Sequence, residues 1–172
     1  RDPVDGHEPN NWASAFGGSA WEYVPERGQY YFHYFSKKQP DLNWACQELR
    51  DEVIGMMNWW VDKGVEGFRV DAISYLDKPL DFPDSALPPR PDGYSFPDCL
   101  ICRPGTHAYI REMNRRVFAP RNILTVGEVA APTVEELGNY VKTDREEFDM
   151  AIPFVLPKTE IDTWSPKRLK KD

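Results

Sequence analysis

The chain has 172 residues, 41% of them hydrophobic, with a formal net charge of −7 and a pI near 5.0. That is about one domain's worth of polypeptide, with enough apolar content for a core. Its acidity offers no electrostatic footprint for nucleic acid or an anionic membrane, and no apolar run approaches the roughly 20 residues that span a bilayer. The expected partner is a small molecule, with no nucleic acid and no membrane. No signal peptide is visible, and the opening Arg1-Asp2-Pro3 without an initiator methionine points to a true N-terminus elsewhere. The three cysteines, Cys46, Cys99 and Cys102, favour a reducing, cytoplasmic setting over a disulfide framework. Cys99 and Cys102 have the spacing of half a zinc site, but no second Cys/His pair completes it, so no metal is expected.

Residues 1–44 form an irregular, aromatic-rich module. Ten of the chain's 23 aromatic residues lie between Trp12 and Trp44. Tyr23-Val24, the turn Pro25-Glu26-Arg27-Gly28 and residues 29–35 predict a hairpin. A helix is expected from about Ala45 to Lys63, with Leu49, Val53, Met56, Met57, Trp60 and Val61 as its buried stripe and Gly64 as its left-handed stop. Val65 to Asp71 reads as a strand. Residues 75–104, with seven prolines, read as a long loop, a length that is usually functional in compact domains. A second helix is expected from Thr106 to Phe118, with Tyr109, Ile110, Met113 and Val117 facing inward. A strand follows from Asn122 to Val129. Thr133-Val134-Glu135-Glu136 is a capping box opening a helix to about Val141. Phe148 to Leu156 reads as a third strand, and Ser165-Pro166 as the start of a further helix. Alternation at this spacing predicts an α/β fold built from βα units around a parallel sheet.

Two strands end in carboxylates. Gly67-Phe68-Arg69-Val70-Asp71 delivers Asp71, and Thr125-Val126-Gly127-Glu128 delivers Glu128. In βα architectures the reactive groups sit where strands end and loops begin. Period-two alternation puts Arg69 on the same face as Asp71, where a guanidinium holds the carboxylate in place and ionised. Two acids so delivered suit glycosidic bond cleavage, Asp71 as nucleophile and Glu128 as proton donor. The donor role requires a less solvated setting or a charged neighbour to keep Glu128 protonated. The alternative at this point is a structural ion pair between Arg69 and Asp71, with Glu128 an ordinary strand-end acid.

Gly67-Phe68-Arg69-Val70-Asp71-Ala72 resembles the fourth-strand motif of the α-amylase family of glycoside hydrolases, and Thr125-Val126-Gly127-Glu128 resembles its fifth-strand motif. Gln39-Pro40-Asp41-Leu42-Asn43-Trp44 is similar to the motif closing that family's inserted domain B. Glu8-Pro9-Asn10-Asn11-Trp12, residues 16–23 and Phe35-Ser36-Lys37-Lys38-Gln39 narrow the resemblance to the oligo-1,6-glucosidase and α-glucosidase branch. The resemblance implies a partial (β/α)8 TIM barrel. Residues 1–44 would be the C-terminal part of domain B, and residues 45–172 about strands four to six of the barrel. It implies retaining hydrolysis through a glucosyl-enzyme on Asp71, with Glu128 as acid and then base. Arg69, Phe16, Phe35 and Gln39 would line the sugar site. Ala72, where enzymes preferring α-1,6 bonds usually carry valine, leans the reading towards α-1,4 bonds on steric grounds.

The family's third catalytic carboxylate, its third-strand Asp/His motif and its calcium loop have no counterpart in this sequence. No cofactor is therefore expected in this segment, although a calcium site elsewhere in the full-length protein is compatible with the resemblance. The segment alone is expected to be inactive and poorly soluble, with open sheet edges and unpaired helix faces. The competing readings are transglucosylation or sucrose isomerisation by the same acids, and a non-catalytic barrel relative. Oligomeric state is not legible.

Overall fold

The computed structural model describes residues 1–154. In chain order the strands are β1 (Trp21–Val24), β2 (Gln29–Phe32), β3 (Gly67–Val70), β4 (Leu124–Val129) and β5 (Met150–Pro153). The helices are α1 (Gln47–Asp62), α2 (Pro104–Met113), the three-residue α3 (Ala119–Arg121) and α4 (Val134–Gly138). A 3₁₀ turn, Ile73–Tyr75, follows β3 after Asp71 and Ala72. The helix expected at Ser165 and the last residues of the third strand lie outside the described residues.

β1 and β2 pair antiparallel, as the Pro25–Gly28 turn predicts. Gly28 takes a positive φ of 63° there, and its N–H reaches the Val24 carbonyl at 2.9 Å. β3, β4 and β5 form a three-stranded parallel sheet in that order, the α/β arrangement read from the alternation of elements. Antiparallel strands can be joined by a tight turn, whereas the parallel neighbours here need helical crossovers.

One face of the parallel sheet carries Phe68, Val70, Val129 and Ala151. It packs on Ile54 and Met57 of α1, on Ile110 and Met113 of α2, and on Val117 and Phe118 beyond. The other face carries Arg69, Leu124, Glu128, Met150 and Ile152. Its large apolar side chains are open to solvent, Leu124 being 55% exposed. β4 and Phe148 meet so closely that a Cβ on Gly127 would lie 2.7 Å from the Phe148 ring. Gly127→Ala is therefore expected to destabilise the protein by about 1–3 kcal/mol through overpacking, read from the midpoint of urea denaturation.

Three local expectations need correction. In α1 the buried line runs through Ile54 and Met57, with Val53 and Val61 partly buried. Met56 and Trp60 are 50% and 46% exposed. They sit about 100° round the helix from Met57 and Val61, and the sheet covers only one side. The second helix does not run unbroken to Phe118. It widens into a π turn over Asn114–Phe118 before α3. Pro120 has no N–H to return to the preceding turn and its ring crowds it, and the wider turn also brings consecutive Val117 and Phe118 into the core. α4 ends at Gly138 and gives way to single turns at Tyr140 and Val141. Its start is as expected, with the Thr133 hydroxyl accepting the Glu136 N–H at 3.1 Å.

Glu147 lies fully inside the fold. His107 Nδ1 is 2.7 Å from one carboxylate oxygen and Arg111 Nη1 2.9 Å from the other, and the Asn114 amide donates to the Glu147 carbonyl. A buried carboxylate is tolerable only with such partners. His107 is thus held inside the fold by Glu147, with its ring tilted at 43° to that of Tyr140 and the centroids 4.5 Å apart.

A second apolar cluster joins Trp12, Ala20, Trp21, Phe32 and Leu100, with Tyr75 and Phe82 packed against it. The long loop after the 3₁₀ turn thus folds back on the N-terminal module. Asn10 explains much of this. Its side-chain oxygen accepts from Trp12 N at 3.0 Å and Trp21 Nε1 at 2.7 Å, while its amide donates to the Phe82 carbonyl. Asn11 exchanges two hydrogen bonds with the Ser85 backbone, at 2.8 and 3.1 Å.

Asp41 and Lys78 form an ion pair that ties the connector into α1 to the start of this loop. Burial holds the Asp41 carboxyl above its ordinary range and the Lys78 ammonium below its own. A raised carboxyl favours folding at low pH, an advantage lost as pH rises through the folded value. A lowered amine favours folding above its unfolded value, an advantage lost as pH falls towards the folded one. Holding the pair ionised therefore carries a desolvation cost on both sides. Either Asp41→Leu or Lys78→Met alone should cost about 3 kcal/mol in denaturant unfolding at pH 7. The double variant should be within about 1 kcal/mol of the parent, or more stable.

Candidate active site

Parallel pairing runs Gly67↔Leu124, Phe68↔Thr125, Arg69↔Val126 and Val70↔Gly127. β3 ends at Val70, and the same register carried one step further would set Asp71 opposite Glu128. Neighbouring strands lie about 4.8 Å apart, so two acids at this step are within reach of one sugar ring. Asp71 directly follows β3, and Glu128 is the last but one residue of β4, on the sheet face turned away from the helices.

Arg69 joins them. Its Nη1 is 2.5 Å from Asp71 Oδ1, and its Nη2 contacts Glu128 Oε2. One guanidinium thus bridges two carboxylates through the two arms of its planar fork, an arrangement lysine cannot provide. The two acids differ in setting. The Asp71 side chain is 67% exposed and that of Glu128 17%. Glu128 is thus the more enclosed of the two acids.

The turn after Asp71 is tightly determined. Ala72 adopts left-handed geometry with φ 47° and ψ 36°, which costs a residue with a Cβ about 1–2 kcal/mol. Ser74 Oγ then accepts the Ala130 N–H at 2.9 Å, tying this turn to the segment just past Glu128. Such strain is held only where surroundings over-determine it, here by packing of Ile73 and Ser74 in the core.

Phe16 and Phe35 come together, with ring centroids 5.8 Å apart. They share the wall of a cleft of about 340 Å³ with His33, Lys37 and Trp21. Phe16 is 74% exposed, and neither Asp71 nor Glu128 lines this cleft. Gln39 is exposed, and its side-chain oxygen accepts the Ser36 N–H at 3.3 Å within its own turn.

Sequence reasoning missed the support for Phe16. Asp92 Oδ2 accepts the Gly18 N–H at 3.0 Å, and Arg90 Nη1 donates to the Ser14 carbonyl at 3.2 Å. The proline-rich loop therefore clasps the turn that carries Phe16. The only local hint was the pair of turn-forming residues, Asp92-Gly93.

A larger cavity, of about 560 Å³, lies between the hairpin, the connector at Asp41–Ala45 and Phe82. It contains neither Asp71 nor Glu128. Its own carboxylates are already paired, Asp41 with Lys78 and Asp77 with Arg103. Nothing in it can act as a free acid–base couple. Burial pushes the thiols of Cys99 and Cys102 up, Cys102 to about 11, so neither is a ready nucleophile at neutral pH. Among the described residues, no three acids, histidines or cysteines gather as a metal site would need.

The class defined so far is an α/β protein that presents two carboxylates on one arginine at adjacent parallel strand ends. The α-amylase catalytic-domain model matches residues 1–170, and the chain belongs to that family. The oligo-1,6-glucosidase of Heyndrickxia coagulans is 48% identical over 155 residues, covering 90% of this chain and 28% of that protein. Among solved structures, the trehalose-6-phosphate hydrolase TreA of Bacillus licheniformis is similar with a TM-score of 0.80 at 39% identity. It covers 90% of this chain and 27% of that one. A variant of the trehalulose synthase MutB is similar at 0.77 and 40% identity, with the same coverage. The chain thus spans a little over a quarter of the length of the relatives it matches.

Proposed function

We propose that this chain is the catalytic-acid segment of a longer retaining α-glucosidase that acts on short α-glucosides at their non-reducing ends. Residues 45–172 would supply about strands four to six of a (β/α)8 barrel, and residues 1–44 the closing part of domain B. The open sheet face with Leu124, Met150 and Ile152 supports this, because a barrel interior would cover it. Asp71 attacks the anomeric carbon and Glu128 protonates the leaving oxygen. Water, deprotonated by Glu128, then releases glucose with its configuration retained. Arg69 holds both acids, Phe16, Phe35 and Gln39 contact the sugar, and Ala72 favours α-1,4 linkages. The observation that carries the reading is the single guanidinium shared by Asp71 and Glu128 at neighbouring strand ends.

The test is to incubate the full-length protein with maltose, isomaltose and sucrose and follow the products by proton NMR. α-Glucose as the first-formed anomer, fastest from maltose, is expected. β-Glucose first, or no glucose from any of the three, would overturn the reading. The similarity to a trehalulose synthase supports a second reading, isomerisation of sucrose by the same acids. An isomer of sucrose outweighing free glucose would favour it.

A further inference from the structure

Tyr75 belongs to neither the acid pair nor the aromatic pair, yet it touches the frame of both. It closes the 3₁₀ turn that begins at left-handed Ala72, four residues after Asp71. Its neighbour Ser74 is hydrogen-bonded to Ala130, just beyond Glu128. On its other side, the Tyr75 ring lies 5.7 Å from the Phe35 ring at 89°, an edge-to-face contact. It also lies 4.7 Å from the Tyr34 ring. Phe35 in turn faces Phe16. An unbroken row of rings therefore runs from the turn after Asp71 to the exposed Phe16.

We infer that Tyr75 is a positioning residue that sets where Phe35, and through it Phe16, stands relative to Asp71 and Glu128. The inference rests on the glycosidase reading above. The Phe35 backbone, on an irregular segment after β2, is held at its carbonyl by the Ser14 hydroxyl at 2.7 Å, and its ring meets the strand-end turn through this contact. Edge-to-face packing fixes a ring's direction as well as its distance. A sugar clamped by misplaced rings reaches the acids off-line, and small misplacements cost large factors in rate. The ring makes the contact with Phe35 while the hydroxyl is hydrogen-bonded to Tyr34, so phenylalanine in place of tyrosine keeps the row of rings and gives up only that second bond.

The test is a double-mutant cycle in the full-length protein with p-nitrophenyl α-glucoside. Tyr75→Ala should lower kcat/KM by about 10-fold and raise KM, and Tyr75→Phe should stay within about twofold of the parent. Phe35→Ala should lose as much or more, and the Tyr75→Ala/Phe35→Ala double variant no more than Phe35→Ala alone. Thermal midpoints measured alongside separate this from loss of fold, because the non-additivity concerns catalysis in variants that remain folded. Two effects that multiply, or a Tyr75→Phe variant as impaired as Tyr75→Ala, would overturn the inference. Undiminished turnover by Asp71→Asn in the same assay would instead sink the glycosidase reading on which it rests.

Discussion

An Asp71→Asn variant of the full-length protein is expected to lose at least about four orders of magnitude in kcat, with KM little changed. The amide is nearly isosteric and keeps an oxygen for Arg69, so the strand-end geometry survives while the nucleophile does not. Glu128→Gln should behave differently. Removing a general acid costs about 10²–10⁴ in kcat/KM on substrates whose leaving group needs a proton, and far less in kcat/KM on activated ones such as α-glucosyl fluoride, for which kcat stays low because water has lost its base. The contrast is the informative part. A structural ion-pair role for either acid would slow all substrates alike, in step with a loss of stability. Steady-state kinetics on maltose and on α-glucosyl fluoride for both variants separate the two cases.

The second large effect is expected at Arg69. Among the described residues its guanidinium is the one group that contacts both acids. Arg69→Lys keeps the charge but offers a single point in place of a fork, so it can hold one carboxylate and not the other. Arg69→Ala removes both contacts and leaves two acids side by side. Both variants should lose about 10²–10³ in kcat/KM, the scale of removing one fixed electrostatic partner. Lysine should recover little of the loss. The guanidinium is half exposed, so stability should change by less than about 1 kcal/mol. A lysine variant with near-parental kcat/KM would show that charge alone, not the fork, is what the site requires.

Some of this was legible in the chain before any coordinates. Period two places Arg69 and Asp71 on one face, and Gly64 and Thr133 announce helix ends by local backbone chemistry alone. The parallel order of β3, β4 and β5 follows from strands that alternate with helices. What could not be read is long-range. Nothing near Asn10 or Asn11 indicates that their amides hold Phe82 and Ser85, more than 70 residues on. The contact from Arg69 to Glu128 depends on which strand neighbours β3 and in what register, and neither is encoded locally. Met56 and Trp60 misled because hydrophobicity alone does not say how much of a helix its neighbour covers. The clasp of Arg90 and Asp92 on the Phe16 turn was hidden in a segment without periodicity.

The most direct test of the central claim is to trap the sugar. The Glu128→Gln variant of the full-length protein, mixed with α-glucosyl fluoride, should accumulate a covalent glucosyl-enzyme, because departure of fluoride needs little acid and water lacks its base. Peptide mass spectrometry should find one glucosyl group on the fragment containing Asp71. A label on a different carboxylate, or an unlabelled enzyme that still consumes the fluoride, would contradict the account.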